Sequence, residues 1–182
     1  MPLFEIHPWK LIERGFHPEH MRLAESLTSL GNGQMGMRGN FEEKYSGDSH
    51  RGTYIGGVWF PDKTRVCWWK NGYPKYFGKV INAINMAGID VIVDGVEIDL
   101  AKLPVVDFIR ELDMECAVLR RQAVIKHPKG EVMLECERFL PVVDRRILAI
   151  RYRVTPSFSA EVLLNAYLDG NVKNEDAAYD EM

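Results

Sequence analysis

Apolar and polar residues alternate along the second half of the chain. In residues 148–154 every second position is Leu, Ile, Tyr or Val, and two arginines lie between them. Residues 131–137 show the same period with glutamates on the polar side, and residues 160–168 form a third such run. A period of two puts apolar side chains on one face of a strand and polar ones on the other. The pattern therefore predicts half-buried β-strands.

Two turn signals join predicted strands into hairpins. The Asp-Gly pair at 94–95 lies between two short apolar runs, which is a strong hairpin signal. The Pro-Lys-Gly turn at 128–130 connects a predicted strand at about 118–125 to the strand at 131–137. Strands at this regular spacing are typical of an antiparallel sandwich. The predicted fold class is all-β, mostly antiparallel, in a β-sandwich.

The first half of the chain is less regular. Residues 23–30 and 52–60 are predicted to be strands, while residues 61–78 form a long segment rich in aromatic, proline and glycine residues. Residues 107–112 are compatible with one helical turn, and residues 77–87 fit neither pattern well. A loop as long as 61–78 in a compact domain is usually functional or packs on another surface.

Composition fits one globular domain of ordinary character. The chain has 182 residues, of which 46% are hydrophobic and 27% charged, with a net charge of −3. This balance gives no general affinity for nucleic acid or anionic membranes, and the apolar runs are too short for a spanning helix. The start of the chain lacks the pattern of a secretory signal.

Cysteine usage indicates a reducing compartment. Cys67, Cys116 and Cys136 are odd in number and far apart, which argues against a disulfide framework and against a zinc site. The histidines show no metal-ligand spacing either. We therefore expect a cytoplasmic protein without a metal. The acidic, polar residues 171–182 add no further strand, so the β-architecture is expected to be incomplete at residue 182.

A glycine motif at residues 31–36 matches the spacing GxGxxG. A dinucleotide site needs a helix directly after this motif, but residues 37–41 (Met-Arg-Gly-Asn-Phe) have no helical pattern. The motif is better interpreted as a tight glycine turn between two strands.

Carboxylates cluster between residues 42 and 50. Glu42 and Glu43 are adjacent, and Asp48, Ser49 and His50 follow. Neighbouring residues in a chain do not converge on one substrate atom, so neither a glycosidase pair nor a catalytic triad is expected. The sequence favours a solvated loop here, and no catalytic residue is assigned.

The aromatic cluster in the long segment is the best candidate for a contact site. Trp68, Trp69, Lys70, Asn71 and Tyr73 combine flat aromatic faces, which stack on sugar rings, with groups that hydrogen-bond hydroxyls. Aromatic residues also dominate cores and interfaces, so packing against a neighbouring domain is the competing interpretation. These five residues are predicted to form a substrate rim or an interface.

Many stretches together resemble the N-terminal domain of glycoside hydrolase family 65, and the resemblance covers nearly the whole chain. They are residues 25–33, 37–43, 45–48, 52–55, 58–66, 68–74, 80–83, 111–114 and 138–139. The run from residue 68 to residue 83 looks most like the branch of the family that acts on maltose. Gln34 and Cys67 depart from the family pattern, where an aromatic residue and a glycine are expected.

The resemblance implies one part of a multidomain inverting phosphorylase. Such an enzyme splits an α-linked glucose disaccharide with inorganic phosphate as co-substrate and without another cofactor. The family's acid glutamate and phosphate-binding residues lie in an (α/α)6 barrel, which is absent from residues 1–182. The domain is then a partial sandwich of the large super-sandwich type. Its expected partners are its own C-terminal barrel, a second copy in a homodimer and the disaccharide.

Several alternatives stay open at this level. Within the family, trehalose, trehalose 6-phosphate, kojibiose and nigerose are possible substrates in place of maltose. Outside it, the chain could be a stand-alone sugar-binding module or a sandwich that serves only as a scaffold for assembly. Sugar titration separates the first of these from the second.

Overall fold

The computed structural model describes residues 3–63 and 74–174. Within these residues the chain forms antiparallel β-sheets and one short α-helix, which confirms the predicted all-β class. The strands are β1 (Phe4–His7), β2 (Lys10–Arg14), β3 (Leu30–Gly31), β4 (Met35–Met37), β5 (Thr53–Ile55), β6 (Trp59–Lys63), β7 (Tyr76–Val80), β8 (Asn85–Val93), β9 (Val96–Glu97), β10 (Val105–Asp113), β11 (Val118–His127), β12 (Gly130–Phe139), β13 (Ala149–Pro156) and β14 (Val162–Asp169). The helix α1 is Met21–Leu27, preceded by a 3-10 turn at Pro18–His20.

A six-stranded sheet forms one layer of the fold. Its order is β1-β2-β10-β11-β12-β13, and each neighbouring pair is antiparallel. Burial alternates along β11 and β12, with Leu134 and Cys136 inside and glutamates on the outer face. The alternation predicted for residues 131–137 and 148–154 is therefore confirmed. The two segments are neighbouring strands, β12 and β13, of this sheet.

Three smaller sheets face or flank the large one. Their orders are β14-β8-β9, β3-β4-β5 and β6-β7. The large sheet contributes Phe108, Ile125 and Leu134 to the main core, and β8 meets them with Val91 and Val93. Each such side chain gains about 1.5–3 kcal/mol on burial, so the core forms where these two sheets face each other. This is the sandwich that the sequence predicts.

The two predicted hairpin turns are also confirmed. Asp94 and Gly95 join β8 to β9 with positive φ angles of 45° and 79°, as a type I′ turn requires. The Pro-Lys-Gly turn joins β11 to β12. Residues 31–36 form the predicted glycine turn, where Gly33 has a φ of 84° between β3 and β4.

Gly95→Ala is expected to lower the free energy of unfolding by about 1 kcal/mol, because only glycine adopts this φ without steric strain. A Cβ at Gly95 would meet nothing within 4 Å, so any loss comes from the backbone alone. Urea unfolding measures it. Gly170→Ala is the matched control, since Gly170 also has open space around it and no left-handed φ. Equal effects at the two glycines would contradict this explanation.

Four predictions for local structure were wrong. The segment 61–78, expected to be one long loop, includes the end of β6 and the start of β7. Residues 23–30, expected to be a strand, lie mostly in α1, where Met21, Ala24 and Glu25 are buried at helical spacing while Leu23 and Leu27 face outward. Residues 107–112 are strand rather than a helical turn, because β10 is paired on both edges. Residues 52–60 are two strands, since the chain breaks at Gly57, whose φ is 84°.

Candidate functional site

The predicted rim or interface residues, Trp68, Trp69, Lys70, Asn71 and Tyr73, lie outside the described residues. The strands that precede and follow them are described. β6 and β7 form an antiparallel pair in which Trp59 faces Val80 and Lys63 faces Tyr76. We call this pair the β6–β7 arm.

The β6–β7 arm exposes an unusual amount of apolar surface. Trp59 and Phe60 are each 58% exposed, and Tyr76 is 52% exposed. Successive side chains of a strand point to opposite faces, so the arm carries aromatic rings on both faces. Exposed apolar surface of this kind marks sites that contact a ligand or another protein surface.

A groove of about 790 Å³ separates the arm from the small β3-β4-β5 sheet. Gln34 and Tyr54 lie on the sheet side, and Trp59, Tyr76 and Val80 lie on the arm side. The volume falls within the range of small-molecule sites. The described residues that line the groove include no carboxylate, imidazole or cationic side chain. The groove can therefore hold a flat or apolar surface, and among its described lining residues only the tyrosine hydroxyls could exchange a proton.

Glu42 and Glu43 are deeply buried, so the predicted solvated loop was wrong at these residues. Arg121 bridges them: its Nη1 donates to Glu43 Oε1 at 2.7 Å and its Nη2 donates to Glu42 Oε2 at 2.9 Å. Arg138 Nη1 lies 3.1 Å from Glu42 Oε1, and the Tyr152 hydroxyl donates to Glu43 Oε2 at 2.8 Å. Buried carboxylates need such partners, because desolvation of an unpaired charge is costly.

A third arginine extends this network. Arg110 Nε lies 2.9 Å from Glu13 Oε2, and Arg110 Nη1 donates to the Gly39 carbonyl at 3.1 Å. The guanidinium groups of Arg110 and Arg121 stack over the Phe41 ring, with distances to its centroid of 5.2 and 4.6 Å. The network therefore fastens residues 39–43 to the inner face of the large sheet.

The inward and outward alternation of residues along the strands contains a sequence signal for this network. Arg110, Arg121 and Arg138 occupy inward positions of β10, β11 and β12, where the alternation calls for apolar residues. A buried arginine requires a carboxylate or carbonyl partner. Three inward arginines on neighbouring strands thus indicate buried acids elsewhere, although not which acids.

The titration of the buried groups agrees with a structural role. Although burial opposes it, the guanidinium groups of Arg138 and Arg121 hold the pKa of Glu42 below its ordinary value. Burial raises the pKa of Glu13, and Arg110 offsets this only in part. Burial also raises the pKa of the Cys136 thiol far above its usual range, so this thiol is inert. Each of these groups is buried against a partner, which suits an anchor better than a catalytic centre.

Asp48, Ser49 and His50 do not form a triad. The Asp48 carboxylate accepts a hydrogen bond from Arg22 Nε, which lies 2.8 Å from each of its oxygens. The Ser49 hydroxyl and the His50 backbone N–H both donate to the buried Glu25 carboxylate of α1. These contacts fasten the loop to the helix.

The potential metal-ligating side chains of residues 3–63 and 74–174 are dispersed. No group of three or more His, Cys, Asp or Glu side chains is placed to hold a metal ion in these ranges. No helix in the same ranges is long and apolar enough to cross a membrane.

Comparison with known proteins gives a consistent result. The family described as glycosyl hydrolase family 65, N-terminal domain, matches residues 11–182. Maltose phosphorylase of Bacillus subtilis is 57% identical over 98% of this chain and 24% of its own length. Kojibiose phosphorylase of Thermoanaerobacter brockii is 32% identical over 91% of this chain and 20% of its own length. The chain therefore spans about a quarter of the length of such relatives.

A solved structure supports the same relationship. A human-microbiome protein provisionally assigned as a kojibiose phosphorylase superposes with a TM-score of 0.85 at 28% identity. The superposition covers 93% of this chain and 23% of that protein. The chain belongs to glycosyl hydrolase family 65, and it corresponds to the N-terminal domain of the proteins in that family.

Proposed function

We propose that this chain is the N-terminal domain of an inverting disaccharide phosphorylase whose substrate is maltose. The observation that carries the proposal is the 57% identity to a maltose phosphorylase over 98% of the chain. Trehalose and kojibiose phosphorylases are related at 29% and 32% identity. The higher identity favours maltose as the substrate. Trehalose and kojibiose are the alternative substrates.

In this proposal the reaction takes place in a C-terminal catalytic barrel. Inversion needs an acid on one side of the sugar and a nucleophile on the other. Inorganic phosphate takes the place of water as nucleophile, so no second carboxylate base is required. The products are β-glucose 1-phosphate and glucose, and the proton given to the leaving oxygen comes from the acid. The described residues that line the groove beside the β6–β7 arm include no carboxylic acid. In this proposal the domain acts as a scaffold and contact surface.

Trp68, Trp69, Lys70, Asn71 and Tyr73 are proposed to line the active-site rim or the contact between two subunits. They fall in the chain between β6 and β7, whose exposed aromatic residues support a contact role for this part of the domain. The homodimer and the cytoplasmic location are part of the same proposal, the latter because of the cysteine usage.

Phosphorolysis assays on the full-length protein test the activity. Maltose with phosphate is expected to give β-glucose 1-phosphate, with less or no product from trehalose, trehalose 6-phosphate, kojibiose and nigerose. Faster turnover of one of these would replace maltose as the substrate. A full-length protein that phosphorolyses none of the five would overturn the proposal.

Replacing Trp68 and Trp69 with alanine in the full-length enzyme tests the rim. Each lost aromatic contact is worth about 0.5–1.5 kcal/mol, so the KM for maltose should rise roughly tenfold, or the dimer should dissociate. Kinetics and light scattering measure the two effects. Trp9→Ala is a suitable control, because Trp9 is also exposed and lies in the turn between β1 and β2. Kinetics and mass equal to those of the control would exclude both roles.

A stand-alone sugar-binding module is the second candidate, and the groove with its exposed Trp59 and Tyr76 favours it. Calorimetric titration of the domain with maltose, trehalose and glucose distinguishes the two. A free-standing module should bind one of these sugars with saturation, whereas a domain of a phosphorylase should bind weakly or not at all.

A further inference from the structure

The direction of the β6–β7 arm is fixed at its base. Within the described residues, β6 and β7 pair only with each other, and the groove separates the arm from the nearest sheet. At the start of the arm, the Gly56 N–H donates to the Gln34 carbonyl at 2.6 Å, and the next residue, Gly57, has a φ of 84°. A glycine pair is a flexible connection. The return connection after β7 must therefore supply much of the restraint.

Asn82 supplies that restraint through its whole side-chain amide. Its Oδ1 accepts a 2.8 Å hydrogen bond from the Thr53 N–H, and its Nδ2 donates to the Arg51 carbonyl at 2.9 Å and the Lys173 carbonyl at 3.3 Å. The Ala83 N–H adds a 2.7 Å bond to the Thr53 carbonyl. One half-buried amide thus joins three chain segments.

Asn174 completes the arrangement from the segment that follows β14. Its Oδ1 accepts a 2.7 Å bond from the Asn82 N–H, and its Nδ2 donates to the Val80 carbonyl at 2.9 Å. Val80 is the last residue of β7. Asn174 therefore holds the end of the arm directly, and both asparagines use a donor and an acceptor at once. The isosteric aspartate carboxylate offers acceptors only, so it cannot replace this pair of contacts.

We propose that Asn82 and Asn174 form a clasp that sets the direction of the β6–β7 arm and so positions it against the catalytic part of the enzyme. The proposal rests on the proposed function for its second half. Asn82 and Asn174 act as positioning residues, since both side-chain amides bond backbone groups of this domain. The clasp also links the arm to the segment after β14 through three hydrogen bonds between side chain and backbone. A movement of either is therefore transmitted to the other.

Aspartate at either position tests the clasp in the full-length protein. Asn82→Asp and Asn174→Asp keep the shape but replace the donating amide by a carboxylate next to backbone carbonyls. Asn171→Asp is the matched control, because it adds the same charge nearby at an exposed residue whose backbone N–H is held by Asp169. Asn82→Ser, which loses the amide without adding charge, serves if an aspartate variant does not fold.

Hydrogen exchange and steady-state kinetics of these variants measure the two halves of the proposal. Hydrogen exchange of peptides that cover β6 and β7 should accelerate roughly tenfold in the clasp variants and not in the control, because hydrogen bonds at the base are lost. The KM for the disaccharide should rise several-fold in the clasp variants, with a smaller change in kcat. Adding Trp59→Ala to a clasp variant should raise the KM little further, because the arm that carries Trp59 is already displaced. Unchanged exchange would overturn the clasp.

Faster exchange with unchanged kinetics would overturn the positioning role and leave only a local restraint. These outcomes are separate from the test of the proposed function. That test asks whether the wild-type enzyme phosphorolyses a disaccharide at all, and hydrogen exchange reports on the clasp in either case.

Discussion

Arg121→Leu is expected to lower the free energy of unfolding by about 3–5 kcal/mol, because it leaves two buried carboxylates without their shared partner. Glu43 is fully buried and Glu42 is 3% exposed, so neither can recover its hydration in the folded state. Stabilities of small domains are only about 5–15 kcal/mol, so this loss is a large fraction of the whole. Urea unfolding of the variant and the parent chain measures the difference.

A matched control lies on the other face of the same sheet. Arg153 pairs with Glu135 at 3.3 Å, but both side chains are exposed to solvent. Arg153→Leu should change the free energy of unfolding by less than about 1 kcal/mol, since exposed ion pairs contribute little. Equal losses for the two variants would contradict the role of burial. Arg121→Lys, which keeps the charge but loses the double hydrogen bond, gives a measurable intermediate if Arg121→Leu does not fold.

The pH dependence of stability supplies a second readout. Because the folded-state pKa of Glu42 is lowered by Arg138 and Arg121, its contribution is present above the ordinary carboxyl pKa. It is lost as the pH falls through the lowered value. Arg121→Leu should therefore reduce the dependence of stability on pH in the acidic range. An identical acid profile in variant and parent would show that Glu42 is held by Arg138 alone.

Phe108→Ala is expected to lower the free energy of unfolding by about 3–5 kcal/mol through the cavity it leaves in the main core. Phe108 is 1% exposed, and its ring centroid lies 5.5 Å from that of Phe16 and 5.9 Å from that of Phe41. Removing the ring takes away a contact of Phe41, whose own ring packs against the Arg121 guanidinium. Calorimetry or urea unfolding measures the loss.

Phe139→Ala is the control for this substitution. Phe139 is also a strand phenylalanine, but it is 42% exposed at the end of β12. Its replacement should cost about 1 kcal/mol or less, since little buried contact is lost. A loss at Phe139 as large as that at Phe108 would show that the main core does not lie where the two sheets face each other.

The two large predictions are expected to be coupled. Phe41 contacts both the Phe108 ring and the Arg121 guanidinium, so the two sites share a neighbour. Substitutions that share a partner are generally not additive. The stability lost by the double variant should therefore differ measurably from the sum of the two single losses.

The sequence alone determined the parts of the fold that depend on local pattern. The alternation at 131–137 and 148–154 and the turns at 94–95 and 128–130 were all predicted correctly, because strand period and turn chemistry are written in adjacent residues. The resemblance in many short stretches also identified the family, which the match over residues 11–182 confirms. The helix α1 was missed, although Met21, Ala24 and Glu25 carry its spacing, because two outward leucines hid the period.

Tertiary structure decided what depends on residues far apart in the chain. Glu42 and Glu43 look like loop acids until β11 brings Arg121 to them from 78 residues away. The clasp likewise joins Asn82 to Asn174 across 92 residues, and the residues next to either asparagine contain no motif that predicts this contact. A buried charge is stable only with its partner in place, and strand pairing rather than local sequence brings that partner there. The sequence thus determined the strands with a clear period of two and the family, while the packing of distant strands decided which acids are buried and how the arm is held.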